Sequence, residues 1–303
     1  MPVSGEWFSP NELTFSSIHV RAKTDWVHLS LGDGSGTSGQ GEITSTQLDR
    51  EVSPVVARLA NRLRGQRLTD ASDVLTFNNL GPEQLEEDQN LSTAVSGLRC
   101  AVADALAQRA QLPLADYLRA LHDHEGTPER SVQLYSNINR SMLPDDSGPV
   151  DRSPGAFAEM VQRAMEAGFT TAKCAPFDEA HAPFKSSGLP REAEAGLERV
   201  RAAKAVVGPD RKLLVDCHSR FDLDSALEPE PELREAGAGW YEEPVNPITH
   251  TDDLRKIRDK SELPIALGEH GYGVALFTKL MAEDALDIAM PDVCFCGGPV
   301  EAY

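Results

Sequence analysis

From residue 131 onward the chain repeats one pattern: a short apolar run, a loop, then a stretch with apolar positions three and four apart. The short runs are SVQLYSN (131–137), FTTAKCA (169–175), KLLVDCH (212–218), GWYEEP (239–244), PIALGEH (264–270) and LDIAMPDV (286–293). Between them lie GAFAEMVQRAMEAG, REAEAGLERVRAAKAVV, SALEPEPELREAG, THTDDLRKIRDKS and GVALFTKLMAEDA, each with helical periodicity. Strands alternating with helices predict an α/β fold, a parallel sheet with right-handed crossovers. Six strands are counted, and the sequence stops at Tyr303 where a sixth helix would begin.

Before residue 131 the pattern differs. SSIHVRAKTDWVHLSLG largely alternates, as a half-buried antiparallel strand or hairpin does. GDGSGTSGQGE follows as a glycine-rich loop, and then come the helical stretches SPVVARLANRLRGQ, STAVSGLRCAVADALAQRAQ and PLADYLRALHD. The second is expected to start at Ser92 as N-cap, with Val95, Leu98, Val102 and Leu106 on one stripe. An α+β domain over residues 1–128 is predicted, joined through the polar HEGTPER (124–130) to a barrel domain over 129–303.

Gly34, Gly36 and Gly39 fit the G-x-G-x-x-G spacing of a dinucleotide loop. No amphipathic helix opens directly after them, so no helix N-terminus is aimed at a pyrophosphate. The segment is read as a mobile loop of the first domain.

Composition narrows the classes. The net charge is −19, and the acidic residues are spread along the chain. This argues against nucleic acid and anionic membrane as partners, because phosphate binding needs a basic surface. MPVSGEWFSP has neither a basic n-region nor an apolar run, so no signal peptide or spanning helix is expected. Five cysteines argue against a disulfide framework and for the cytoplasm. Cys294 and Cys296 form a C-x-C read as packing rather than zinc binding.

The chemistry lies at the strand ends. Asp216, Glu242, Glu269 and Asp292 each follow a short apolar strand, spaced 26, 27 and 23 residues apart along the numbering. One strand-helix unit of a (β/α)8 barrel takes about 30 residues. Carboxylates at successive parallel strand ends converge on one mouth and repel unless a hard cation neutralises them. Oxygen ligands of this kind suit Mg²⁺. Strand alternation sets Asp216, His218 and Arg220 on one face, so His218 comes beside the metal as a proton carrier or an orienting partner. Lys173 ends the second barrel strand, where burial would depress its pKa toward use as a base. The other reading of Lys173 is a cation that neutralises the acidic cluster. Only one of Glu242 and Glu243 can face the axis, and Glu243 is expected to meet backbone or a cation outside. His270 follows Glu269 and is expected to point elsewhere. Asn137 and Asn139 are candidate contacts for substrate hydroxyls.

The motifs AKCAPFD, VDCHSRF, WYEEP, LGEH and AMPDVCFCGG, with the N-terminal GQGE, resemble the enolase superfamily, specifically the mandelate racemase/muconate lactonizing enzyme group. The resemblance implies a TIM-like (β/α)8-type barrel, with residues 1–128 as its capping domain. It implies Mg²⁺ held by Asp216, Glu242 and Glu269, and abstraction of the proton α to a carboxylate, with the metal stabilising the enediolate. The histidine two residues after the first ligand resembles the acid-sugar dehydratase subgroups, in which it helps expel the β-hydroxyl. Lys173 stands in the K-x-K position, with Ala175 or Thr171 in place of the other lysine. Asp292 matches the aspartate that pairs with a histidine on a seventh strand. The barrel is expected to be incomplete here, stopping after strand six, some two units or about 60 residues short of eight. The function expected is dehydration of a polyhydroxy carboxylate by a homo-oligomer. Alternatives are a racemase, epimerase or cycloisomerase of the same superfamily, or an inactive truncated member.

Overall fold

The computed structural model describes residues 5–21, 24–44, 49–122, 131–142, 150–182 and 191–303. The polar link at 124–130 lies outside them. They form two compact units: residues 1–128 with 269–276 and 291–303, and residues 129–268 with 277–290.

In the first unit, β1 (Glu12–Arg21), β2 (Thr24–Gly32) and β3 (Ser38–Glu42) make an antiparallel sheet in that order. The expected alternation is realised in β2, where Val27, Leu29 and Leu31 are buried. β1 is an edge strand, and its Phe15, Ile18 and Val20 stay exposed. Five helices follow: α1 (Asp49–Leu63), α2 (Asp73–Asn78), α3 (Pro82–Glu87), α4 (Gln89–Arg109) and α5 (Leu114–Leu121). The short α2 and α3 carry too few residues to show a period.

Helix α4 is capped four residues before the expected Ser92. Asp88 is its N-cap, accepting from the Leu91 N–H at 3.0 Å. Its burial is not one stripe, since every residue from Ser92 to Leu98 is buried. Small residues make that possible. A Cβ at Gly39 would lie 1.8 Å from Ala101 O, and one at Gly41 would lie 2.1 Å from Gly97 O. Gly39 and Gly41 therefore serve close strand–helix approach, and of the Gly34–Gly39 segment read as a mobile loop, Ser38 and Gly39 lie in β3. The turn before β3 is pinned by Asp33, whose Oδ1 accepts from Ser35 N at 2.7 Å and Thr37 N at 3.2 Å. Segments 269–276 and 291–303 join this unit through α4. Arg99 donates to Glu301 Oε2 at 3.0 Å, the Gly297 N–H donates to Ser96 Oγ at 2.9 Å, and Tyr272 packs in the unit's core.

In the second unit, six strands run parallel in chain order: β4 (Ser136–Asn137), β5 (Thr171–Cys174), β6 (Lys212–Asp216), β7 (Ala238–Glu242), β8 (Ile265–Leu267) and β9 (Ile288–Ala289). The sequential order is that of a TIM-like α/β barrel. The interleaved helices are α6 (Pro154–Glu166), α7 (Arg191–Val207), α8 (Leu223–Leu227), α9 (Glu230–Glu235), α10 (Thr251–Lys260) and α11 (Gly273–Ala282), and α12 (Pro299–Ala302) comes last. SALEPEPELREAG, read as one helix, is split into α8 and α9 at Pro229, which has no N–H to continue a helix. β4 is shorter than the apolar run suggests, because Val132 and Leu134 lie outside it and exposed. Register sets Lys173 across from Asn137 and Glu242 across from Asp216.

Candidate active site

Strands β6 and β7 end on Asp216 and Glu242, and Glu269 follows β8 after one glycine. One oxygen of each carboxylate lies within 4.8 Å of the other two. Asp216 and Glu242 are buried, and Glu269 is partly so. Asp292 is not in this group. Its Oδ1 instead accepts from Cys294 N at 2.8 Å, closing the turn after β9. The C-x-C lies in that turn rather than on a strand, and all five thiols are free.

Lys173 lies within this charge. Its Nζ donates to Glu242 Oε1 at 2.5 Å and sits 3.3 Å from Asp216 Oδ2. Burial works to lower its pKa, as expected from the sequence. The charges of Asp216 and Glu242 and the hydrogen bond to Glu242 outweigh burial and hold the ammonium above its ordinary value. The expectation of a depressed lysine is thus reversed by the residues that surround it.

His218 reaches the site by a route the sequence reading did not anticipate. β6 ends at Asp216, and the chain turns with φ of 47° at His218 and 57° at Ser219, in the left-handed region. Strand alternation therefore does not apply, and Arg220 does not share the face. Its Nη1 lies 3.2 Å from His181 Nδ1. The turn nevertheless brings His218 Nε2 to 3.1 Å from Asp216 Oδ2. Its Nδ1 lies 2.6 Å from Asp178 Oδ1. Burial opposes charge on the imidazole, but the hydrogen bonds to Asp178 and Asp216 win and raise its pKa to about 10. Asp216 is also desolvated, yet its bonds with His218 and the charge of Lys173 hold its carboxyl below the ordinary value.

Three neighbours were absent from the sequence reading or misplaced in it. Asp178, in the loop after β5, is the partner of His218. Trp240 donates from Nε1 to Glu242 Oε2 at 3.1 Å, a contact that the two-residue period of β7 could have found. At the end of β4 it is Asn139 whose Nδ2 reaches Asp216 Oδ2, at 3.3 Å. Asn137 turns back, accepting from Asn139 N at 2.9 Å. Glu243 faces away as expected and accepts from Gly268 N at 3.1 Å. His270 does not point clear of its neighbour, because its Nε2 is 3.4 Å from Glu269 Oε1. Its Nδ1 meets Gln89 Nε2 at 3.1 Å.

Sequential parallel strands with carboxylates at consecutive ends are consistent with a TIM-like barrel, and the family model described as Enolase C-terminal domain-like matches residues 156–303. That match, over just under half of the chain, supports the resemblance to the mandelate racemase/muconate lactonizing enzyme group of the enolase superfamily. It is 27% identical over 274 residues to D-galactarolactone cycloisomerase of Agrobacterium fabrum, covering 90% of this chain and 65% of the relative. It is 27% identical over 210 residues to D-gluconate dehydratase of Thermoproteus tenax, covering 68% of this chain and 38% of the relative. The chain thus spans less than two thirds of the length of either. A solved member of the enolase superfamily from Salmonella Typhimurium superposes with a TM-score of 0.80 at 20% identity, covering 97% of this chain and 76% of that one, which establishes the likeness of fold. Among the described residues no helix is long and apolar enough to cross a membrane.

Proposed function

We propose that this chain carries the site of a divalent-cation-dependent acid-sugar dehydratase, a hydro-lyase acting on a small polyhydroxy carboxylate. The observation that carries the reading is the group of three carboxylates with oxygens within 4.8 Å of one another. Two of them already hold an ammonium, so the arrangement favours positive charge. Its oxygen-only donors suit a hard cation such as Mg²⁺. Asp216, Glu242 and Glu269 would hold that cation. When bound, it supplies positive charge that acidifies the proton α to a carboxylate and offsets the two carboxylates that hold Lys173.

The remaining steps fall to side chains. Lys173 takes the α-proton in its neutral form, and a positive charge beside it lowers its pKa toward that state. His218, with its proton held between Asp178 and Asp216, donates to the departing β-hydroxyl. Asn139 orients Asp216. Relatives named as dehydratases of gluconate, arabinonate and galactonate support this reading, and the relative named as a cycloisomerase supports cycloisomerisation as the alternative.

The test is incubation with Mg²⁺ and a panel of acid sugars, followed by an assay for 2-keto-3-deoxy products. Keto product that is lost in His218→Asn supports dehydration. Epimers without keto product would overturn it.

A further inference from the structure

We propose that Asp178 is the positioning residue of His218, and that the loop after β5 is built to hold that carboxylate in place. The proposal rests on the dehydration reading for its chemistry but on separate geometry. Asp178 Oδ1 meets His218 Nδ1 at 2.6 Å, which directs the opposite ring nitrogen, Nε2, to the strand ends, 3.1 Å from Asp216 Oδ2. The ring is thus held at both nitrogens, by Asp178 at Nδ1 and by Asp216 at Nε2. The residue has φ of 47° and its side chain is about one third exposed, so Asp178 is needed to fix the ring from the side opposite Asp216.

The carboxylate is itself anchored. Arg152 Nη2 lies 3.5 Å from Asp178 Oδ2, donates to Ala175 O at 3.0 Å, and its Nε donates to Glu179 Oε1 at 2.7 Å. Arg199 Nη1 donates to Pro176 O and to Glu179 Oε2, both at 2.7 Å, and its Nε donates to Arg152 O at 2.7 Å. Both guanidinium groups lie over the Phe157 ring, at 5.3 and 5.5 Å. From the other side, Phe177 fills the space above Gly196, where a Cβ would lie 2.2 Å from its ring. Phe177 also meets Phe221, from the His218 loop, edge to face at 5.3 Å. So many fixed contacts on the five residues from Ala175 to Glu179 exceed what a connection between a strand and a helix needs. They make sense if the position of Asp178 has to be exact to a fraction of an ångström, as a partner that orients an acid must be.

The experiment uses the full chain with Mg²⁺ and the variants Asp178→Asn and Asp178→Glu. Asp178→Asn should lower kcat by roughly 10–100-fold while KM and Mg²⁺ affinity change little. Asp178→Glu should recover part of kcat. A second readout does not need turnover: with ¹⁵N-histidine labelling, the downfield Nδ1–H proton of His218, assigned by its loss in His218→Asn, should vanish in Asp178→Asn. An unchanged Nδ1–H signal in a folded Asp178→Asn protein, or an unchanged kcat, would overturn the proposal. If the wild type makes no keto product yet the signal depends on Asp178, the dehydration reading fails and the positioning role stands.

Discussion

Lys173 donates from Nζ to Glu242 Oε1 at 2.5 Å while its ammonium lies 3.3 Å from Asp216 Oδ2, so one buried cation balances two buried carboxylates. Removing one partner of such a cluster leaves uncompensated charge, at a cost of about 3–5 kcal/mol. Lys173→Met should therefore melt well below the wild type in the presence of a chelator. Mg²⁺ should restore more stability to the variant than it adds to the wild type, because binding to the folded state alone stabilises it. Thermal unfolding with and without Mg²⁺ checks this. Equal Mg²⁺-dependent shifts in the two proteins would contradict it.

The approach of β3 to α4 admits no side chain. In Gly41→Ala the new Cβ would meet Gly97 O of the helix backbone, which cannot move aside as a flexible side chain would. The expected loss is about 1–3 kcal/mol or more, read as a lower urea midpoint for the first unit. Gly36→Ala, in the turn where no atom crowds the Cβ, tests the contrast. It should cost less, its penalty coming from the positive φ alone.

Asp33 gives the first unit a dependence on acid. Burial opposes its ionisation, but donors from Ser35, Thr37 and Arg109 prevail and hold the carboxyl below its ordinary range. With a folded pKa below the unfolded value of about 3.9, the group adds stability above that value. The gain is lost as pH falls through the folded pKa. Asp33→Asn should thus be less stable than the wild type at neutral pH, with the gap closing in acid. Urea titrations across that range measure it, and a gap independent of pH would remove Asp33 as the cause.

The sequence showed strand ends better than it showed side-chain partners, for a physical reason. Short apolar runs closed by Asp216, Glu242 and Glu269 are a local pattern, and the parallel register brings them together without further information. His218 was reached through an argument about strand faces that the left-handed turn makes inapplicable, and Arg220, placed by the same argument, went elsewhere. Asp178 has no period to reveal it. Its position depends on Arg152 and Arg199, far away in sequence, and on the ring of Phe157. For Lys173 the two readings, a base depressed by burial and a cation neutralising the acidic cluster, pull the pKa in opposite directions, and the carboxylates of Asp216 and Glu242 prevail. The tight approach of Gly39 and Gly41 to α4 is not legible in the sequence, because close approach to a helix leaves no mark in the strand's own residues.

The account stands on one cation site made by three strand-end carboxylates, and calorimetric titration of Mg²⁺ into the wild type and Glu242→Gln tests it most directly. Glutamine keeps the shape and can still accept from Trp240, but it removes one of the negative ligands. Affinity should fall by at least about tenfold, since ligand charge sets the strength of such sites. Unchanged Mg²⁺ affinity in Glu242→Gln would contradict the site.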